Sequence, residues 1–346
     1  MAKRIALFNH KGGVSKTTTT FHLSWMLAQK GYRVLMVDAD SQCNLTGLIL
    51  GEKFEQFYEE KNPNNLKDAV NFAFKARPRI IKAVECQSIK EREGLFLLPG
   101  HLNLSEYEIT LGLAQSLSNA IYTLQNIPGA FSYLFEETAK KYDIDYILID
   151  LNPSLGAINQ NLVMTSDYFL IPTSADFFSV MALESMATVL PQWYHLSKKA
   201  MSMEMLTEDA TYPLPKIIPK FLGVLIQKYA LDNVEPYKPV KRFQVWIDKI
   251  NDCVVKKLVP ALATSEMMLN EKRYQNNYSL AGIPDYTNLG ALHQNHRVPI
   301  FTLNENQINN TGNALANTKA RCKKFEIIYS ELADQIIELT SNGTDA

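Results

Sequence analysis

Short apolar runs alternate with longer amphipathic stretches from the first residues onward, and this alternation is the primary structural signal in the chain. Ile5-Ala6-Leu7-Phe8 reads as a buried strand, and a glycine turn follows at Gly12-Gly13. Thr17 to Lys30 then carries Phe21, Leu23, Trp25, Met26, Leu27 and Ala28 ahead of Gly31, the pattern of a helix with its stop. Arg33 to Asp38 is a second strand, and further apolar runs lie at 95–98, 146–149, 168–171, 221–226 and 298–301. Strands apolar on both faces, separated by helical segments, predict an α/β fold. Its core would be a mostly parallel, twisted β-sheet flanked by helices on both faces.

Two stretches are too long for simple crossovers. Residues 51–94 are polar and charged with scattered aromatics, and residues 232–296 hold one helical pattern of Phe243, Trp246, Ile247, Ile250, Val254, Leu258 and Leu262 around Pro260. The expectation is a single domain over 1–346 with helical insertions at about 51–94 and 232–296. The tail from Thr311 to Thr340 predicts a further helix, with Phe325, Ile328, Tyr329, Leu332 and Ile336 on one face.

Composition narrows the picture by exclusion. With 346 residues, 46% of them hydrophobic and 21% charged, the chain can bury a full core, which excludes a disordered or disulfide-dense protein. The four cysteines, 43, 86, 253 and 322, are widely spaced and form no CxxC pair, so reduced thiols in a cytoplasmic protein are expected. No run of eighteen apolar residues is present, and neither a cleaved leader nor a membrane span is expected from the pattern. Net charge is −1, but residues 190–330 hold 18 Lys+Arg against 12 Asp+Glu, a local excess of +6. Such an excess is either a solvated face or a binding patch.

The chemistry concentrates in His10-Lys11-Gly12-Gly13-Val14-Ser15-Lys16-Thr17-Thr18, between the first strand and the first helix. Glycines let successive backbone N–H groups curl around an anion, and the helix amino terminus adds its positive dipole end. Lys16 supplies a point charge for phosphate oxygens, and the Thr17 hydroxyl can ligate Mg²⁺. The ordinary GxxxxGK[ST] spacing is not met, because His10 and Ser15 occupy its two glycine positions. A second lysine, Lys11, opens the loop instead.

This KGGxxxKTT pattern resembles the deviant Walker A loop of the ParA/MinD family of P-loop ATPases, commonly KGGVGKTT. Two further motifs carry the resemblance. Val37-Asp38-Ala39-Asp40-Ser41-Gln42-Cys43-Asn44-Leu45-Thr46 is similar to the family's switch I, and Tyr146 to Ser154, with Asp150 ending its apolar run and Asn152-Pro153 following, is similar to a Walker B strand entering switch II. The resemblance implies ATP and Mg²⁺ as ligands, with Gly12, Gly13, Val14, Ser15, Lys16, Thr17 and Thr18 around the phosphates. It implies that Asp40 positions the attacking water, that Asp38, Asp150 and Thr17 serve the metal, and that Lys11 reaches the nucleotide of a second subunit. Gln227 and Pro299 fall where relatives contact adenine, although an ordinary polar strand end reads equally well for Gln227.

The expected function is a slow ATPase that homodimerises with ATP, coats nonspecific DNA for partitioning or cargo positioning, and is released when a ParB-like or cargo-bound activator stimulates hydrolysis. Candidate phosphate contacts are Lys238, Lys241, Arg242, Lys256, Lys257, Lys319, Arg321, Lys323 and Lys324. The alternative is the same ATPase acting on a protein partner through its insertions, without DNA. A P-loop ligase is disfavoured by Lys11. Membrane attachment is disfavoured because Glu331 to Leu339 carries three acidic residues and no basic one.

Overall fold

The computed structural model describes residues 1–60, 62–77, 79–117, 124–232, 238–274 and 278–341. Short parts of both expected insertions, residues 61, 78, 233–237 and 275–277, lie outside this set. Eight strands form one sheet: β1 Lys3–Leu7, β2 Val34–Ala39, β3 Gln87–Ser88, β4 Leu95–Leu98, β5 Tyr146–Leu151, β6 Tyr168–Ser174, β7 Lys220–Gln227 and β8 Ser279–Ile283. Their spatial order is β3-β4-β2-β5-β1-β6-β7-β8. Every pairing is parallel except β3 with β4 at the edge.

Alternation along the strands sorts side chains onto two cores. Ile5, Leu7, Val34, Met36 and Leu148 face one layer. There they meet Phe21, Leu23 and Leu27 of helix α1, Lys16–Gln29, and Phe325, Tyr329, Leu332 and Ile336 of the helix Gly312–Thr340. Ala6, Phe8, Leu35, Val37, Ile147 and Ile149 face the other layer, against helices that include Ala130–Tyr142, Ala157–Met164 and Phe177–Met201. The doubly wound α/β sheet expected from the alternation is the one observed.

Two local readings need correction. Residues 298–301 are not a strand: Pro299 lacks a backbone donor, and the segment turns into the short 3₁₀ helix Ile300–Thr302. The last parallel strand is instead β8, within the stretch 232–296, where Ser279-Leu280-Ala281-Gly282-Ile283 is only half-buried and carries little apolar signal. The helical pattern around Pro260 is present as Lys241–Cys253, a wide π turn Val254–Leu258 and Val259–Thr264. Pro260 sits at the start of the last piece, where its missing N–H costs least.

Candidate nucleotide site

The carboxyl ends of β1, β5 and β2 are neighbours in the sheet, and each delivers one of the three motifs. In open α/β sheets this edge is where ligands bind. Register places Asp38 of β2 directly beside Asp150 of β5, which in turn pairs with Leu7, just before the glycine loop. Residues separated by more than a hundred positions are thereby set on adjacent strand ends.

The loop between β1 and α1 is wound by two residues in the left-handed region, Gly13 at φ 72° and Ser15 at φ 60°. Ser15 is the residue preceding α1, and its side chain caps no amide. A left-handed backbone there explains why glycine suits this position, and serine holds it at some strain. Lys16 is only 7% exposed. Its Nζ donates to the carbonyl oxygens of Asn9 at 2.9 Å and Lys11 at 3.4 Å, so the ammonium is folded back under the loop. Burial lowers its pKa, while Asp150 and Asp40 oppose that shift. His10 is similarly lowered, by burial and by Lys16, and its Nδ1 is buried without a partner.

The three carboxylates differ in their environments. Asp38 is fully buried: its Oδ2 accepts from the Thr46 amide at 2.8 Å and the Thr46 hydroxyl at 2.6 Å, and its Oδ1 accepts from the Asp40 amide at 3.2 Å. Burial pushes its carboxyl up to about 6 despite these bonds. Asp40 is 8% exposed and accepts from the Gln42 amide at 2.9 Å. Asp150 is 1% exposed, and neither of its oxygens has a hydrogen-bond partner. Burial, then the Asp38 carboxylate, raise its pKa well above the ordinary value, with the Thr17 hydroxyl and Lys16 pulling the other way.

An unpartnered buried carboxylate beside a threonine hydroxyl at the phosphate loop fits a hydrated divalent cation held jointly by protein and phosphate oxygens. Among the described residues no group of three or more His, Cys, Asp or Glu side chains gathers around a metal position. That donor set suits Mg²⁺, which binds through few protein ligands and completes its shell with phosphate and water, and does not suit an all-protein metal cage.

A cleft of about 1020 Å³ opens above the loop. Residues 12–18 form its floor, Asp40, Gln42, Cys43 and Asn44 continue one wall into helix α2, Asn44–Leu50, and Pro153 contributes from the switch II segment. The opposite end is lined by Lys228, Tyr286, His293, Gln294, Asn295 and Arg297. Of the residues expected to contact ligand, Gly12, Gly13, Val14, Ser15, Lys16, Thr17, Thr18 and Asp40 line this cleft, whereas Lys11, Asp38, Asp150, Gln227 and Pro299 do not. Gln227 is buried and braces the loop, donating from Nε2 to the Thr19 hydroxyl at 2.9 Å and the Val14 carbonyl at 3.3 Å. Pro299 is buried at the start of its 3₁₀ turn. Their neighbours Lys228 and Arg297, both with left-handed backbones, reach the cleft instead. The Arg297 side chain packs where a Cβ on Gly51 would stand, bridging the far end to the end of α2.

Lys11 points away from its own cleft. Its Nζ contacts Asp176 Oδ1 at 2.6 Å and Ser179 Oγ at 3.1 Å, at the start of the helix Phe177–Met201. Asp176 also caps that helix, accepting from the Ser179 amide at 2.9 Å.

An eight-stranded, mostly parallel sheet with this loop and these strand-end carboxylates defines a P-loop nucleotide-binding protein of the deviant Walker A type. The AAA domain family (AAA_31) matches residues 2–203, and the chain belongs to the ParA/MinD-like family of P-loop ATPases. An uncharacterized protein, MJECL24, of Methanocaldococcus jannaschii is 31% identical over 242 residues, covering 69% of this chain and 78% of that one. The chromosome partitioning protein ParA of Caulobacter vibrioides is 32% identical over 180 residues, covering 52% of this chain and 58% of the relative. The structure of pNOB8 ParA bound to nonspecific DNA superposes with a TM-score of 0.56 at 17% identity, covering 99% of this chain and 100% of that one, a likeness of fold. Among the described residues no helix is long and apolar enough to cross a membrane.

Proposed function

We propose that the protein is a slow, partner-stimulated ATPase switch of the partitioning or cargo-positioning kind, dimeric with ATP and Mg²⁺ and binding nonspecific DNA in that state. The observation that carries this reading is the division of labour between two lysines of one loop. Lys16 is buried beneath the phosphate position, whereas Lys11 lies outside its own cleft, held at the surface by Asp176. A cation so placed is of little use to its own nucleotide and is available to a nucleotide across an interface.

In this reading the loop amides and Lys16 bind the phosphates, Thr17 and Asp150 hold Mg²⁺, and Asp40, at the cleft wall, orients the attacking water. Bound there, the metal would supply positive charge to offset the negative charge developing on the phosphate oxygens. Asp38 acts from behind, fixing Asp40 and Thr46 relative to each other. Loss of the γ-phosphate removes the partner's Lys11 contact and loosens the dimer.

DNA binding is supported by the partition relatives and by exposed cations. Lys256 and Lys257 are paired with Asp252 and Glu184, and Lys319 and Lys323 with Glu305 and Glu326. Exposed pairs of this sort contribute little to stability and are cheap to redirect toward phosphate. Arg321 is tied to Tyr286, Thr287 and Asn288 and is a poorer candidate.

The test compares wild type, Asp40→Ala and Lys11→Ala. Asp40→Ala should form a dimer and bind nonspecific duplex DNA at physiological salt with ATP and not with ADP. Lys11→Ala should bind ATP and remain monomeric in light scattering. An ATP-dependent dimer of Lys11→Ala would remove the cross-subunit role, and indifference to DNA in both nucleotide states would leave a protein-directed switch.

A further inference from the structure

One side chain holds the switch II segment. Residues 152–154 follow the end of β5, and Pro153 among them has no N–H with which to anchor itself. Asn159, in the first turn of the helix Ala157–Met164, is fully buried, and its Nδ2 reaches back to this segment. It donates to the Asn152 carbonyl oxygen at 2.8 Å, to Asn152 Oδ1 at 2.9 Å and to the Ser154 carbonyl oxygen at 2.9 Å. Three oxygens converging on one atom fix the orientation of the amide, because the flipped side chain would set oxygen against oxygen. The two carbonyls lie on either side of Pro153, so a single NH₂ group places that residue from both flanks.

The helix that carries Asn159 is itself anchored. Ile158, Leu162 and Val163 pack into one core layer, and Asn161 donates to the Pro128 carbonyl at 2.9 Å. Glu108 Oε1 accepts from the Ile158 amide at 3.3 Å and occupies the space that a Cβ on Gly156 would need, so glycine is what lets the carboxylate reach the helix start. Asn159 Oδ1, by contrast, is buried with no hydrogen-bond partner among the described residues. An orphaned amide oxygen lowers stability, so the residue is explained by its donor end.

That donor end acts on the cleft wall. Pro153 lines the cleft, and its ring stands 3.9 Å from where a Cβ on Gly12 would lie, against the phosphate loop. Asn159 itself does not line the cleft. We propose that Asn159 is a positioning residue for hydrolysis: its amide keeps the turn that follows Asp150 seated over Gly12 in one arrangement. This role rests on the proposed ATPase reading. Asn159 touches neither Lys16 nor the loop amides, so its loss should fall on kcat and spare ATP affinity.

The experiment compares wild type, Asn159→Ala, Asn159→Asp and Asn152→Ala by hydrogen exchange without nucleotide, by ATP calorimetry and by steady-state hydrolysis. Asn159→Ala should speed exchange across residues 152–158 and lower kcat roughly tenfold or more, with the ATP Kd unchanged. Asn159→Asp keeps the shape but replaces the donor by an oxygen facing three acceptors, so it should lose more activity than alanine. A residue that only fills space would show the reverse order, which overturns the inference. Asn152→Ala, at a half-buried position, removes one acceptor and carries the test if an Asn159 variant fails to fold. It should lower kcat in part, and the double alanine variant should lose less than the product of the two single losses. Unchanged kcat in these variants, or a fall in ATP affinity parallel to the fall in kcat, also overturns the inference. Absence of ATP hydrolysis in wild type refutes the ATPase reading instead, and with it the role of Asn159 in hydrolysis; the clamp on switch II is read separately by the exchange comparison.

Discussion

Replacing Asp38 by asparagine should change the sign of its effect on stability as pH rises. The carboxyl is fully buried and its pKa is pushed from an ordinary 3.8 to about 6. An acid with a raised folded pKa keeps its proton longer when folded, so the protein loses stability from this group as pH climbs past 3.8. The loss is complete above about 6. At about 1.4 kcal/mol for each pH unit, the ionised carboxylate costs roughly 3 kcal/mol at pH 7. Asparagine keeps one carbonyl oxygen for the Thr46 amide and hydroxyl and presents N–H to the Asp40 amide, forfeiting one hydrogen bond worth about 1 kcal/mol at any pH. The variant should therefore be about 1 kcal/mol less stable than wild type near pH 4 and about 2 kcal/mol more stable at pH 7. Asp38 also raises the pKa of Asp150, so removing its charge adds to the gain at neutral pH. Urea unfolding of the nucleotide-free protein across this range measures both limits. A difference that does not vary with pH, or a variant that loses relative stability as pH rises, would refute the burial argument.

Lys16→Ala should abolish ATP binding in calorimetry, since the ammonium is the only loop cation held beneath the phosphate position among the described residues; retained tight binding would displace the loop from the site. Gly129→Ala should lower the urea midpoint by an amount equivalent to about 3 kcal/mol, at unchanged slope, because the new Cβ would stand 2.1 Å from the Tyr212 carbonyl oxygen and 2.6 Å from that of Pro213, both backbone atoms. A near-neutral result would mean that the 212–213 segment yields freely.

The parts of the site legible in the sequence are those in which chemistry and local structure coincide. A buried strand ending in a carboxylate, or in a glycine loop followed by a helix, has to place that polar group at one edge of the sheet, and three such endings set Lys16, Asp40 and Asp150 before any coordinates are known. What was not legible depends on contacts with no period. Asp176 holds Lys11 from 165 positions away, and nothing in Ala175-Asp176-Phe177 distinguishes a helix cap from a restraint on the loop. Lys228 and Arg297 reach the cleft because their backbones turn left-handed, a conformation with no signature in a charged residue, so the expected contacts at Gln227 and Pro299 lie one and two positions from the residues that line it. The misread strand at 298–301 and the unread strand at 279–283 share a cause. Apolar content tracks burial, and the edge strand β8 is half-exposed while the turn at Ile300 is buried, so hydrophobicity points to the wrong one. Pro299, which cannot donate to a sheet, was the local evidence that outweighed it.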